Sequence, residues 1–210
     1  KQRGSMIDLY TWTTPNGRKI SIMLEACGLE YKVHPVNIGA NEQFAAGFLT
    51  ISPNNKIPAI VDREGINAEP TSIFESGAIL LYLAEKCGKF LPTDPSAKLE
   101  VMEWLMFQMG SFGPYLGQAH HFNMFVKEPV PYAQKRYQDE AYRLWSVLNT
   151  RLEGREFVAG ELSIADFALY PWAARFEFQR INPEDYPAVH AWMKRLEAFD
   201  FVQRGMQIPN

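Results

Sequence analysis

Cysteine is scarce in this chain, with only Cys27 and Cys87 among 210 residues, and neither lies in a C-x-x-C motif. Two thiols so far apart in sequence fit neither a disulfide framework nor a C-x-x-C redox or zinc motif. They suit a reducing compartment, so a cytoplasmic location is expected. Long apolar runs are also missing: the longest, Gly77 to Ala84, falls far short of the roughly 20 residues a membrane span needs. No membrane association is expected. The formal net charge of −3 comes without Lys/Arg clusters or aromatic-basic interleaving, so nothing is set up to track phosphates and nucleic acid is not an expected partner. His120 and His121 are adjacent, with no carboxylate or cysteine at metal-ligand spacing, so no metal is expected. They read as structural residues or pocket walls. Lys1–Ser5 reads as a tag remnant before the natural Met6, and nothing resembles a signal peptide.

What is present is an ordinary globular balance, 47% hydrophobic and 21% charged, in a chain long enough for one large domain or two small ones. Met6–Thr11 alternates like a strand. After the turn Thr13–Gly17, Ile20, Met23, Leu24 and Cys27 recur at helical spacing up to Gly28. Tyr31–Asn37 is β-rich and leads to a short helix over Gln43–Leu49. Ala59–Asp62, the turn Glu64-Gly65 and Ile66–Glu69 read as a hairpin, and Phe74-Glu75-Ser76-Gly77 opens a helix ending at Gly88. Beyond a Pro92–Pro95 linker only helical periodicity remains. There Ser163-Ile-Ala-Asp166 has the form of a capping box ahead of a buried helix. The predicted fold is α/β plus all-α: a β-α-β-α-β-β-α domain over residues 6–88, then an all-helical domain over 96–210.

Taken singly, the polar residues have ordinary readings. Ile57-Pro58 can be a plain turn, and Glu75-Ser76 an N-cap with a first-turn acid. Thr14 and Asn16 can cap the first helix, and Asn54, Asn55 and Lys56 can be turn formers. Gln43 can be a solvated surface residue, and Arg136 can pair with Glu140 four residues on. Cys27 and Cys87 sit where buried, inert thiols are usual.

In combination, Thr14-Pro15-Asn16-Gly17, Ser52-Pro53-Asn54-Asn55-Lys56-Ile57-Pro58, Phe74-Glu75-Ser76-Gly77-Ala78 and Gly117-Gln118-Ala119-His120-His121-Phe122 resemble the glutathione transferase superfamily. The resemblance covers the chain after Met6, and within the superfamily it is to the nu class of bacterial disulfide-bond oxidoreductases. It implies a thioredoxin-like N-terminal domain that binds glutathione as co-substrate, with one or two molecules per site. The implied ligand contacts are Asn16, Gln43, Lys56, Ile57, Glu75, Ser76 and Arg136. Glu75 would take the γ-glutamyl ammonium, and Ser76 with the helix amides its carboxylate. A cis Pro58 would turn the Ile57 amide and carbonyl outward to accept the ligand as an added strand.

In that superfamily the protein keeps the glutathione sulfur as thiolate, and the implied catalytic donors here are Thr14 and Asn16. Tyr10 lies inside the strand and is expected to pack in the core. Two donors and the positive end of a helix would lower a thiol pKa by about 2, worth about 2.7 kcal/mol. The implied second substrates are a small disulfide, a hydroperoxide or an electrophile, on a surface near Tyr115 and Phe122, and the implied assembly is a homodimer. A different class of function, a glutathione-binding regulatory or interaction module, is disfavoured because the sequence lacks the Asn/Gln-rich extension of the prion-type relatives.

Overall fold

The strands form where apolar residues alternate between turn residues. The computed structural model describes residues 6–210, and the expected tag remnant at residues 1–5 lies outside the described residues. Strands β1 (Ile7–Thr11), β2 (Tyr31–Pro35), β3 (Ala59–Asp62) and β4 (Thr71–Phe74) make one sheet in the order β2-β1-β3-β4. β1 runs parallel to β2 and antiparallel to β3, and β3 is antiparallel to β4. Helix α1 (Pro15–Cys27) joins β1 to β2, α2 (Ala46–Leu49) precedes β3, and α3 (Ser76–Cys87) follows β4. This is the expected β-α-β-α-β-β-α order.

Local chemistry sets the ends of α1. Thr14 in extended conformation caps it through Oγ1, Pro15 takes the first position, and Gly28 stops it at φ 65°. Ile7, Leu9, Ile20, Met23, Ile60, Ile79 and Leu83 are fully buried between sheet and helices. Asp8, on the face expected to be polar, is buried too. Arg63 holds it in a two-pronged contact at 2.8 and 2.9 Å, His34 lies at 2.8 Å, and the Arg63 guanidinium keeps its carboxyl below the usual range.

Three details differ from the sequence expectation. The hairpin returns along Thr71–Phe74 rather than Ile66–Glu69, because Asn67 and Ala68 adopt positive φ and Pro70 has no N–H for a ladder. Phe74 therefore ends a strand, and the helix starts at Ser76. The helix expected over Gln43–Leu49 is broken at Ala45, whose ψ of 135° is extended, leaving a 3-10 turn and the short α2.

Residues up to Lys89 together with Phe199–Asn210 form one unit, and Phe90–Ala198 form another. The last segment, with α9 (Asp200–Gly205), therefore belongs with the sheet unit and not with the helical half where periodicity alone puts it. It packs on α1, where Ser21 Oγ donates to the Gly205 carbonyl at 2.6 Å.

The second unit holds α4 (Pro95–Phe107), α5 (Gly113–His120), α6 (Pro131–Leu152), α7 (Ile164–Ala173) and α8 (Pro187–Glu197), with π-helical turns at Gln108–Phe112 and His121–Phe125. Every residue of α7 is buried, and the capping box is present. Asp166 accepts from the Val158 and Ser163 amides at 3.0 Å each and from the Trp192 indole at 2.9 Å, while burial pushes its carboxyl up to about 6.

A second polar knot surrounds Gln179. Its Oε1 accepts from the Trp145 indole at 2.6 Å, which fixes the amide orientation, so Nε2 donates to the Trp172 carbonyl and to His120 Nε2 at 3.2 Å. His120 Nε2 must then carry no proton. Burial, with the nearby Arg175 charge, accordingly lowers its pKa to about 4.

Asp166→Ala would leave three buried donors without an acceptor, and an unfolding free energy lower by about 3–5 kcal/mol is expected in denaturant titration. A loss under about 1 kcal/mol would contradict the accounting. His120 should make stability pH-dependent with a definite sign. The unfolded imidazole takes up its proton below pH 6.5, while the folded one resists until about 4. The contribution is thus complete above 6.5 and is lost as pH falls towards 4, a total of about 3 kcal/mol. Denaturant titrations of wild type and His120→Asn across that window should show a shallower fall in the variant.

Candidate functional site

Sheet register brings the implied residues of the first unit to one edge. Tyr10 pairs with Ala59 and Ala59 with Phe74, so the end of β1, the start of β3 and the end of β4 are neighbours. Thr11 pairs with Pro35 in the parallel β2, which places the start of the 36–58 connection at the same edge. Thr14 and Asn16, Ile57-Pro58 and Glu75-Ser76 all leave the sheet there.

At the first of these places, Thr14 Oγ1 accepts the Gly17 amide at 3.2 Å. Among the described residues the Thr14 hydroxyl proton has no acceptor. Asn16 is half-buried in the first helical turn. Gly17 is required by close approach, because a Cβ there would lie 2.3 Å from Thr11 Oγ1 and 2.6 Å from the Trp12 carbonyl. Tyr10 is in the packed interior, stacked on His34 at 4.7 Å and set against Val36, Phe48 and Ala59.

The Ile57-Pro58 bond is cis. Among the described residues none takes up the Ile57 amide or carbonyl, and such main-chain groups are normally paired. Gln43 is half-buried, and its Oε1 is buried with no partner among the described residues. Lys56 is exposed and its carbonyl accepts from Ser52 Oγ at 2.8 Å.

Glu75 is exposed and sits at φ 71°, ψ 116°, a backbone region that non-glycine residues rarely adopt and that gathers at functional sites. Ser76 is buried at the first position of α3. Its Oγ accepts from Lys19 Nζ at 3.1 Å. Lys19 went unnoticed in the sequence. It lies on α1 one turn before Met23 and is 1% exposed, and burial drags its pKa down to about 7 against the opposing pull of Glu75. A lysine in register with a helix's apolar positions was the available signal.

The remaining implied residues belong to the second unit. Arg136 is exposed on α6 and, with Tyr115, Tyr137 and Glu140, lines a small depression. Glu140 is engaged by Arg143 at 2.7 and 2.9 Å, so its hydrogen bonds do not go to Arg136. Phe122 stacks on Tyr137 at 5.5 Å and Tyr115 lies 6.4 Å from the same ring, so the two aromatics singled out from sequence share one cluster beside Arg136. Cys27 and Cys87 are free and half-buried at the C-terminal ends of α1 and α3. Burial, followed by the Cys87 thiol, pushes the Cys27 thiol well above the ordinary range. Among the described residues no cluster of three or more metal-ligating side chains occurs.

Comparison with known proteins places the chain in a family. The family model for the glutathione S-transferase N-terminal domain matches residues 5–85, and that for the C-terminal domain matches 112–200. Disulfide-bond oxidoreductase YfcG of Escherichia coli (strain K12) is 50% identical over 195 residues, covering 92% of this chain and 91% of the relative. A glutathione transferase family member from Pseudomonas fluorescens pf-5, solved with two glutathione bound, superposes with a TM-score of 0.94 at 42% identity, covering all of this chain and 96% of that one. A glutathione transferase from Pseudomonas putida, solved with one glutathione disulfide bound per subunit, gives 0.92 at 40% identity over 100% and 94% of the two chains. The chain belongs to the glutathione S-transferase family.

Proposed function

We propose that this protein is a glutathione-dependent disulfide reductase working at the sheet edge of the first unit. The observation that carries the reading is the unpaired Ile57 amide and carbonyl, held beside the Glu75-Ser76 helix start. An extended peptide with a charged amino-acid end meets both needs, the main-chain pairing and the ionic corner. The buried, unpartnered Gln43 Oε1 suits a ligand N–H. The names of the disulfide-bond oxidoreductase relative and of the structures holding glutathione or its disulfide support the same assignment.

Glutathione supplies the thiols: two are oxidised to one disulfide while the substrate disulfide is reduced to two thiols. The chain's own residues position and activate. Thr14 directs its free hydroxyl proton, and Asn16 its amide, at the ligand sulfur, and the start of α1 adds a positive dipole end. Ile57 pairs with the cysteinyl main chain, Glu75 takes the ammonium, Ser76 the γ-glutamyl carboxylate, and Lys56 the glycine carboxylate. Arg136, as a glutathione contact, and the aromatic cluster of Tyr115, Phe122 and Tyr137 beside it, as a surface for the second substrate, keep the roles the family resemblance gives them. A small disulfide is the principal substrate of this reading. An organic hydroperoxide and conjugation to electrophiles are secondary.

A cytoplasmic enzyme fits thiols that stay free. Homodimerisation fits the apolar side chains that α4 exposes, Leu99 at 61% and Met106 at 48%, and a dimer mass is expected in light scattering at micromolar concentration. A monomer would remove that part.

The central expectation concerns which groups are needed. Thr14→Ala and Asn16→Ala should each lower disulfide reductase turnover by about 10-fold to 1000-fold, by analogy with loss of one donor to a developing anion. A Cys27→Ser/Cys87→Ser double variant, checked for folding by circular dichroism, should stay near wild type. A dead double variant alongside a fully active Thr14→Ala would overturn the assignment.

A further inference from the structure

Of the five tryptophans, four are engaged by the protein's own groups. The indoles of Trp145 and Trp192 donate to Gln179 and Asp166. The rings of Trp104 and Trp172 meet those of Phe107 at 5.1 Å and His120 at 5.4 Å. Trp12 differs. Among the described residues its indole has neither a ring contact nor a hydrogen-bond partner, and the residue is only half-buried. Its main chain, by contrast, is tightly held. The Trp12 carbonyl accepts the Thr14 amide at 2.7 Å, a three-residue turn that folds residue 12 back beside Thr14. A Cβ at Gly17 would lie 2.6 Å from the same carbonyl, so the first turn of α1 also presses on it. Turns are ordinarily built from small or polar residues. Nothing in this one requires an indole, yet the largest of side chains stands there unpartnered, one tight turn from the hydroxyl assigned to the ligand sulfur.

We propose that Trp12 is a specificity-determining residue for the second substrate: its indole is the face on which an aromatic substituent of the substrate disulfide stacks while the disulfide lies beside Thr14. Such a role rests on the reading of this sheet edge as the site of a glutathione-dependent disulfide reductase, and it names a substrate class within that reading, disulfides that carry aromatic groups. An indole offers a wide π face to a flat substituent, and aromatic pairs gain beyond the area they bury. The same ring makes favourable contact with soft, polarizable sulfur. Glutathione carries no aromatic group, so the ring serves the second substrate and not the first. The main chain of residue 12 is fixed against Thr14 and α1, so the ring is carried by a point of the fold that is already held beside the reacting atoms.

The test compares two disulfides across three proteins. Dipyridyl disulfide and bis(hydroxyethyl) disulfide are reduced by glutathione with wild type, Trp12→Ala and Trp12→Phe, the uncatalysed rate is subtracted, and folding is checked by circular dichroism. Trp12→Ala should lower kcat/KM for dipyridyl disulfide about 10-fold, the scale of a lost aromatic pair, and mainly through KM. With bis(hydroxyethyl) disulfide it should stay close to wild type. Trp12→Phe keeps a ring and should keep most of the preference, and KM for glutathione should be the same in all three proteins. An equal loss for both disulfides, no loss for either, or a raised KM for glutathione would make Trp12 a residue of the turn alone and overturn the inference while the reductase reading stands. If wild type reduces neither disulfide, the reductase reading falls and takes the inference with it. Should Trp12→Ala not fold, Trp12→Leu keeps apolar bulk without the aromatic face and is read by the same comparison, with selective loss of dipyridyl disulfide turnover expected.

Discussion

Two register pairs, Tyr10 with Ala59 and Ala59 with Phe74, fix where the polar groups of the first unit can meet. Side chains alternate along a strand, so a slip of one residue would send Leu9 and Ile60 to the opposite face and expose what is now core. Apolar burial thus locks the register, and the register in turn decides that three segments remote in sequence leave the sheet side by side. The missing Cβ of Gly17 lets the first turn of α1 press onto the end of β1. The capping hydroxyl of Thr14 is thereby held at the same edge as Ile57 and Glu75.

Helix α1 is held from two sides, by α3 and by α9. On the α9 side Ser21 Oγ reaches the Gly205 carbonyl, Arg204 pairs with Glu25 at 2.6 Å, and a Cβ at Gly205 would lie 2.5 Å from Ile22 Cα. That spacing leaves no room for α1 to slide. Thr14 and Asn16, on which the proposed site leans, stand at the head of this helix and in its first turn. A site needing tolerances of roughly half an ångström benefits from a carrier fixed in this way.

Much of this was legible in the sequence, because it is written in local chemistry. The Thr14 cap, the Gly28 stop, the Ser163-Asp166 box and the order of strands and helices each follow from residues within a few positions of one another. Misreadings arose where a distant or backbone effect prevailed. Ile66–Glu69 has strand-like residues, but positive φ at Asn67 and Ala68 makes it a turn. Phe199–Asn210 has helical periodicity like the segments before it, and only the α1 surface it covers reveals its unit. Lys19 was missed because a lysine in an amphipathic helix usually faces water, and the Ser76 contact that explains it comes from 57 residues further on. Ile57, Glu75 and Ser76 were reached through resemblance to a family, since no local rule distinguishes them from an ordinary turn and cap.

The polar bookkeeping explains why hydroxyls stand at this edge. Thr14 Oγ1 receives a main-chain N–H and Ser76 Oγ receives an ammonium, so each oxygen is engaged by a donor within the protein. Among the described residues the Thr14 hydroxyl proton has no acceptor, which leaves that side chain a donor towards an anion from outside. The chain's own thiol chemistry runs the other way, since burial and a neighbouring thiol keep Cys27 protonated and unreactive. On the proposed reading, a donor directed outward at the sheet edge and an inert thiol at the far end of α1 are complementary halves of one arrangement: the nucleophile would be brought in by the ligand, and the fold would contribute the field that ionises it.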